Sequence, residues 1–427
     1  MKIAIKTLGC KVNQSESASI AGELINNDYE IVQSADNADI CIINTCTVTA
    51  KSDYQSRQLI RKSARSGAKV IVTGCYAQLR PDDLVNMDGV SRVIGNSDKN
   101  EIADIISDLH GNGERTTLNV KGTDLPLFKQ TYHSTRSRAF LKIQDGCNKA
   151  CAYCSVRLAR GKSRSLSVED VLSSAVEMEK SGYREIVLTG VHIGSYGHDL
   201  DPVSSISDIV DKLSLSSPGT RFRLSSLEPG EINAGLLSLL KRDNICSHLH
   251  IPLQSGSDKI LKSMNRGYST TKYKQVINRI IKEYPDIAIG TDVIVGFPGE
   301  SDKDFQDTYR FVEELPFSYL HVFPYSRRSS TKASHMPDQI NGAVKRSRVN
   351  SIIELSQNKK LLYLNRYRDR ILNVIIESSE ITSGNYIAIS DNYIKLTVKG
   401  NGLFPGDRVR VRVISLTGSK LLAQAFN

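Results

Sequence analysis

Residues 139–161 read AFLKIQDGCNKACAYCSVRLARG, with Cys147, Cys151 and Cys154 spaced C-x3-C-x2-C just after an apolar strand. Iron–sulfur clusters are held by cysteine thiolates, usually four to a cubane. Three thiolates from one tight turn fill three corners and leave one iron open to a substrate. Structural zinc is the competing reading, and it needs a fourth ligand, commonly paired at short spacing. Neither histidine nor cysteine stands in the thirty residues after Cys154 to supply one. Inert thiols are the third reading. The spacing favours a cluster with an open iron.

Downstream of this loop, apolar strands alternate with amphipathic helices. Strands are expected at 139–144, 185–190, 221–226, 248–253, 287–295 and 318–323. Helices are expected near 168–181, 204–215, 231–241, 257–264, 270–284 and 301–314. Six such units over 139–326 suit a partial, open β/α barrel, whose active site lies at the C-terminal strand ends. Gly190, Ser225, Ser226, Glu228, Gln254 and Asp292 fall at those ends and are candidates to line a ligand. His192, His198, His248, His250 and His321 are scattered, and none is assigned to a metal. GFPG at 296–299 reads first as a turn.

Upstream, residues 1–110 also alternate strand and helix, with strands at 3–8, 29–33, 40–44, 69–73 and 91–94. Helices are expected near 15–27, 51–66, 80–87 and 99–109. Continuous apolar strands between helices indicate a parallel sheet covered on both faces, a doubly wound α/β fold. Cys10, Cys46 and Cys75 each follow a strand, at the edge where such sheets gather ligands. Gly9 and Gly74 precede two of them and let backbone approach a bulky group. Three buried structural thiols are the plainer alternative. Their equivalent placement favours a second cluster. Cys41, inside a strand, and Cys246 read as core.

Residues 111–138 are polar and irregular and read as a linker. Residues 327–369 open with the basic loop SRRSSTKAS and continue as a helix. From 370 to 427, five short alternating strands with Gly and Asn turns suggest a small β-barrel of oligonucleotide-binding type. Arg408, Arg410 and Arg412 alternate with valines, so period two puts the arginines on one face. A solvated strand face is the plain reading; RNA contact is favoured by the chain's formal charge of +10.

The chain has 427 residues, 40% of them hydrophobic and 24% charged, as expected for about three soluble domains. No apolar run approaches a membrane span. MKIAIKTLGC carries Lys6 within its apolar run and reads as a strand rather than a signal peptide. Eight cysteines without a repeating spacing argue for metal or catalysis rather than disulfides, and the expected location is the cytoplasm.

The cysteine loop resembles the radical S-adenosylmethionine superfamily, in which the open iron takes the amino and carboxylate groups of S-adenosylmethionine. Tyr153 matches the aromatic position near the adenine. The order of a three-cysteine α/β domain, that barrel and a TRAM-like β-barrel resembles the methylthiotransferases over essentially the whole chain. TLGCKVNQSES, INTCTVT, VTGCYAQ, LKIQDGCN, HLHIPLQSGS, TDVIVGFPGE and LHVFPYS are similar to the branch acting on N6-threonylcarbamoyladenosine in tRNA. The isopentenyladenosine branch tends to open Tyr-Gly-Cys-Gln-Met-Asn, and the ribosomal-protein branch Ser-Leu-Gly-Cys-Pro-Lys-Asn. SVRLARG after Cys154 departs from the Ile-Ile-Pro-like sequence common in the group, while Arg160 and Gly161 keep its pattern.

The resemblance implies two [4Fe–4S] clusters, on Cys147, Cys151 and Cys154 and on Cys10, Cys46 and Cys75. The first would release a 5′-deoxyadenosyl radical from S-adenosylmethionine, and the second would carry the sulfur. Tyr153, Gly190, Ser226, Glu228, Gln254 and Asp292 become candidates for binding S-adenosylmethionine. The anticodon stem-loop of tRNA, an electron donor and a sulfur source are the implied partners. The other two branches are alternatives; a non-catalytic RNA-binding protein with structural metal is a reading of another class.

Overall fold

The computed structural model describes residues 1–109, 116–117, 137–380 and 384–426. The N-terminal part is one parallel sheet of β1 (Lys2–Thr7), β2 (Glu30–Val32), β3 (Ile40–Thr45), β4 (Lys69–Gly74), β5 (Val90–Val93) and β6 (Thr116–Thr117). Its order is β2-β1-β3-β4-β5-β6. Alternation along each strand fills two separate cores. Ile3, Ile40, Ile42 and Ile71 pack on one side with Leu24 and Ile105. Ala4, Cys41, Ile43, Val70 and Val72 pack on the other with Ile60 and Tyr76. Helices α1 (Lys11–Asn26), α2 (Ala50–Arg65), α3 (Cys75–Leu79), α4 (Asp82–Val85) and α5 (Ile102–Asp108) supply the covers.

Three expectations shift here. The first helix starts at Lys11, immediately after Cys10, and not near 15. The helix expected at 80–87 is reduced to the short α4, and a further short helix, α3, precedes it with Cys75 as its first residue. Gly74, at φ +98°, makes that abrupt strand-to-helix turn. The expected linker contains β6, which extends the sheet beside β5. Two residues are too short to show a periodicity. Residues 111–115 and 118–136 of that linker lie outside the described residues.

Next come β7 (Ala139–Lys142) and a short antiparallel pair, β8 (Gln144–Asp145) with β9 (Arg164–Ser165), which brackets the cysteine loop. The barrel continues through β10 (Glu185–Thr189), β11 (Arg221–Leu224), β12 (His248–His250), β13 (Ala288–Val295) and β14 (Tyr319–Pro324). The parallel orders β11-β10-β7 and β12-β13-β14 are joined by bridges Phe222–Ile245 and Ser226–His250. The result is an open arc of six strands in sequence order. Its outer helices are α6 (Val156–Arg160), α7 (Val168–Lys180), α8 (Ile206–Ser216), α9 (Ala234–Leu239), α10 (Asp258–Ser263), α11 (Thr270–Glu283) and α12 (Asp302–Glu314). From α7 to α12, a side-chain oxygen of Ser167, Ser205, Asn233, Ser257, Ser269 or Ser301 accepts a backbone N–H of the first turn. Each such cap contributes about 1 kcal/mol and starts its helix at a set residue. The strand-end loops are thereby held in place.

Helix α13 (Gly342–Asn365) leads to a closed barrel of β15 (Ile371–Glu380), β16 (Asn385–Ser390), β17 (Lys395–Lys399), β18 (Arg408–Thr417) and β19 (Lys420–Ala425). Val374, Leu396, Val398, Val411, Val413 and Leu421 fill it, while Arg408, Arg410 and Arg412 are exposed on one face. The two barrels meet at the start of β10 and β11. There Glu185 accepts from both Arg221 and Arg223. The same guanidinium groups donate to the carbonyls of Asn373, Ile389, Ser390 and Asp391. No helix among the described residues is long and apolar enough to cross a membrane.

Candidate active site

The β8–β9 pair pinches residues 146–163 into a closed loop. Gly146 has φ +70°, and a Cβ there would stand 1.9 Å from the Lys162 carbonyl oxygen, so only glycine fits. The Cys147 N–H donates to the Gly161 carbonyl at 3.0 Å. Each thiol then has a donor aimed at its sulfur. Lys149 N–H reaches Cys147 at 3.4 Å, Arg266 Nη1 reaches Cys151 at 3.2 Å, and Val156 N–H reaches Cys154 at 3.4 Å. Burial pushes the Cys154 thiol up to about 11, and the neighbouring Cys151 and Cys147 add to the rise. The departing segment after Cys154 forms α6, which packs against α3, the helix begun by Cys75.

Cys10, Cys46 and Cys75 follow β1, β3 and β4, which are adjacent in the sheet. A Cβ on Gly9 would stand 2.6 Å from Cys46 Cβ and 2.8 Å from its sulfur. Burial raises the Cys46 thiol to about 11, and the charges of Cys75 and Cys10 push the same way. The three thiols therefore share one small volume, open to solvent through Cys10.

A buried ionic network couples the two cysteine sets. Glu16, on α1, accepts from Lys99 Nζ at 2.6 Å, Lys142 Nζ at 3.0 Å and Arg160 Nη1 at 2.7 Å. Arg160 also reaches Asp145 at 3.0 Å and Asn13 Oδ1 at 2.8 Å. Asp145 and Arg160 flank the barrel's cysteine loop, while Asn13 and Glu16 lie on the helix that follows Cys10. Burial opposes the Glu16 charge, but Arg160, Lys142 and Lys99 hold its carboxyl well below the usual range. A strap from the barrel adds a second tie: Arg328 pairs with Asp53 at 2.7 Å, and Ser326 accepts from Ala50 N–H.

The polar candidates occupy one end of the arc, with one correction. Asp292 lies within the body of β13, not at its end. Its Oδ1 accepts from His250 Nε2 and His321 Nδ1, both at 3.0 Å, and Ser226 Oγ meets His250 Nδ1 at 2.7 Å. The three donor atoms of His250, Asp292 and His321 lie within 4.8 Å of one another, near enough for a cation, but hydrogen bonds already pair them. Burial opposes ionisation of Asp292, and the two histidines hold its carboxyl well below the usual range. Glu228 is bound by both oxygens to Arg266 Nη2 at 2.6 Å, which links it to Cys151. Tyr153 Oη is 3.5 Å from the same guanidinium. Gly190 is hemmed in, since a Cβ there would lie 2.8 Å from Gln144 Oε1. Gln254 has φ +66° and bridges Val293.

Sequence reasoning passed over several residues that the fold brings here. His192 sits between Cys147 Sγ, at 3.9 Å from Nδ1, and the Glu231 carboxylate on Nε2. Burial alone would lower His192, yet these two contacts raise it to about 9. Lys11, next to Cys10, is half-buried, and burial followed by the charges of Arg223 and Arg138 lowers it to about 8. Lys11 and Arg160 stand beside cysteine motifs and were legible on that ground. Arg266, in SMNRG, carries no such signal.

Family comparison decides how this arrangement is to be read. A model described as the radical SAM superfamily matches residues 141–312, and one described as uncharacterized protein family UPF0004 matches residues 2–95. A Bacillus subtilis protein named threonylcarbamoyladenosine tRNA methylthiotransferase MtaB is 38% identical over 96% of this chain and 93% of its own length. The chain belongs to the radical S-adenosylmethionine methylthiotransferases. An Aquifex aeolicus MtaB is 38% identical over 91% of this chain and 96% of its own. A Fusobacterium nucleatum tRNA-2-methylthio-N(6)-dimethylallyladenosine synthase is 33% identical over 96% and 97%. In structure, the radical methyltransferase TsrM from Kitasatospora setae, solved with cobalamin and a [4Fe–4S] cluster bound, aligns with TM-score 0.58 at 12% identity. That alignment covers 78% of this chain and 77% of TsrM, a likeness of fold.

For a methylthiotransferase, the donor sets fit the clusters the family implies. Each site offers three thiols from one compact cradle. Around the barrel's cysteines, N–H donors reach every sulfur, as sulfur ligands of such clusters receive. At the N-terminal site, Gly9 keeps open the space that a side chain would fill.

Proposed function

We propose that this protein is a tRNA methylthiotransferase that replaces the C2–H of N6-threonylcarbamoyladenosine beside the anticodon with a methylthio group. One observation carries the substrate: relatives named for that nucleoside reach 38% identity over nearly full length, against 33% for one named for the dimethylallyl nucleoside. The target carbon is aromatic and unactivated, beyond the reach of acid–base or nucleophilic side chains. S-adenosylmethionine and two [4Fe–4S] clusters supply, when bound, the radical and the sulfur that such a replacement needs.

In this reading Cys147, Cys151 and Cys154 hold one cluster, and Cys10, Cys46 and Cys75 the other. Tyr153, Gly190, Ser226, Glu228, Gln254 and Asp292 bind S-adenosylmethionine. Arg266 orients Cys151 and Glu228 together, so one guanidinium sets both a ligand and a cofactor-facing carboxylate. The Glu16–Arg160 network holds the two sites in one geometry, the positioning on which such reactions depend. The five-stranded barrel, through Arg408, Arg410 and Arg412, grips the tRNA backbone. An electron donor and a sulfur source complete the set of partners, and the enzyme works in the cytoplasm.

Mass spectrometry of tRNA nucleosides from cells with and without the protein tests the reading. Loss of the methylthio nucleoside, with its threonylcarbamoyl precursor accumulating, is expected. Loss of the isopentenyl product instead would overturn the substrate, and unchanged nucleosides would overturn the RNA target.

A further inference from the structure

The strap that ties the barrel to the N-terminal sheet also walls a cleft of about 310 Å³. Arg80, just past the end of α3, forms one side; Arg327, Arg328, Ser329, Ser334 and His335 of the strap form the other. Local bonds hold these walls in place. Ser334 Oγ donates to the Thr331 carbonyl at 2.7 Å, and Arg327 Nε donates to the Ser334 carbonyl at 2.8 Å. Across the cleft, Arg80 Nη2 donates to Ser329 Oγ at 2.6 Å. The strap also touches both cysteine sites. Arg328 Nη2 donates to the hydroxyl of Thr47, the residue after Cys46, at 2.5 Å. Ala333 N–H donates at 2.8 Å to the carbonyl of Ala152, which lies between Cys151 and Tyr153. The cleft thus lies along a segment that joins the edges of the two sites.

Its charge is not balanced. Arg328 is buried and already paired with Asp53 at 2.7 Å. Arg80 has only Asp83, 3.7 Å away, and with side chains 44% and 46% exposed that pair is weak. Arg327 is exposed and has no carboxylate partner among the described residues. Its one bond, through Nε, leaves both terminal nitrogens free. A guanidinium anchored in that way presents a fork that suits a phosphate. No carboxylate lines this cleft; Asp82 and Asp83 line the adjoining cavity, with Pro81 and Ser330. An anion therefore belongs on the Arg327 side, where it would also relieve the repulsion between Arg327 and Arg80.

We infer that this cleft receives a backbone phosphate of the substrate tRNA next to the nucleoside being modified, with Arg327 and Arg80 as its cationic contacts. The inference rests on the tRNA reading proposed above. It adds a contact that positions the target, distinct from the grip of the small barrel. A free inorganic anion shares the same chemistry, but Arg80, Arg327, Ser329 and His335 are all exposed, so a polymer chain has access along the cleft. A nucleoside that reaches the cysteines also brings its flanking phosphates to the strap that borders them.

The test is equilibrium binding of an anticodon stem-loop to the reconstituted full chain, with one phosphate at a time replaced by an uncharged methylphosphonate. In wild type, a replacement beside the target adenosine should weaken binding about tenfold, as loss of a charge-assisted contact implies. Arg327→Gln and Arg80→Gln should each weaken the unmodified stem-loop about as much. Both should also erase the penalty at that same position, the non-additivity that marks a direct pair. Iron content and melting temperature equal to wild type report that the variants are folded. If both variants keep the wild-type pattern of sensitive phosphates, the cleft is not the contact. A wild type with no sensitive phosphate beside the target overturns the inference without any variant. Variants that lose only the binding of inorganic phosphate, followed by calorimetry, would assign the cleft to a free anion and overturn it too. A wild type that does not bind the stem-loop would overturn the tRNA reading itself, and this inference with it.

Discussion

Glycine at position 9 illustrates how much of the N-terminal site hangs on single residues. It has φ +101° and leaves no space for a Cβ, which would stand 2.6 Å from the Cys46 Cβ. Gly182, with φ +93° but nothing within 4 Å, carries the same backbone strain without the collision. Gly9→Ala is therefore expected to lose the N-terminal cluster: about four irons per chain instead of eight, no methylthio product, and retained cleavage of S-adenosylmethionine. Gly182→Ala should cost only about 1 kcal/mol and keep full iron. Iron analysis and product assays on both separate the two effects, and full iron in Gly9→Ala would show that the cluster does not depend on the space Gly9 leaves open. Cys10→Ala should match Gly9→Ala, whereas Cys147→Ala should abolish S-adenosylmethionine cleavage.

Between elements, the contact that matters most is α1 against the barrel. Its Glu16 is a buried carboxylate shared by three cations. Removing one member of such a network leaves uncompensated charge, so Glu16→Gln should cost about 3–5 kcal/mol at neutral pH. The sign of the pH dependence follows from the depressed carboxyl. Its stabilisation is full above the unfolded value, about 4.3, and fades as pH falls through the lower native one. Wild type and variant should therefore converge in acid, and denaturant melts at pH 7 and below pH 4 measure it; an undiminished gap would show that Glu16 acts through packing. Elements of this kind were legible because each strand and capped helix writes its period into the chain. The Glu16 contacts were not. Asn13 and Glu16 look like ordinary helix residues in VNQSES, and their partners Lys142, Asp145 and Arg160 lie over a hundred positions away. Asp292 was misplaced by a similar limit: an eight-residue strand does not announce where along it a polar side chain falls.

On the scale of the molecule, three folds are ordered so that their chemistry-bearing edges meet. The strand ends of the sheet face those of the barrel across the Arg160 network, while the small barrel closes the opposite, Arg223-lined end. That leaves the arginine face of β18 outside the site, where it can serve grip but not chemistry. Arg410 has no side-chain partner among the described residues, Arg408 touches only the Asp243 carbonyl at 3.4 Å, and Arg412 lies over Phe426. Exposed, unpaired cations of this kind contribute to nucleic-acid affinity by releasing counterions, with a slope of about 0.7–0.9 per phosphate neutralised. Changing all three to Gln should then flatten the plot of log affinity for tRNA against log salt by about two to three units. Methylthiolation at saturating tRNA should be spared, because no residue near the cysteines is altered. Filter binding across a salt series reads the slope directly. An unchanged slope would assign the face to solvent and move tRNA grip to other basic surfaces, first among them the strap bearing Arg327 beside Arg80.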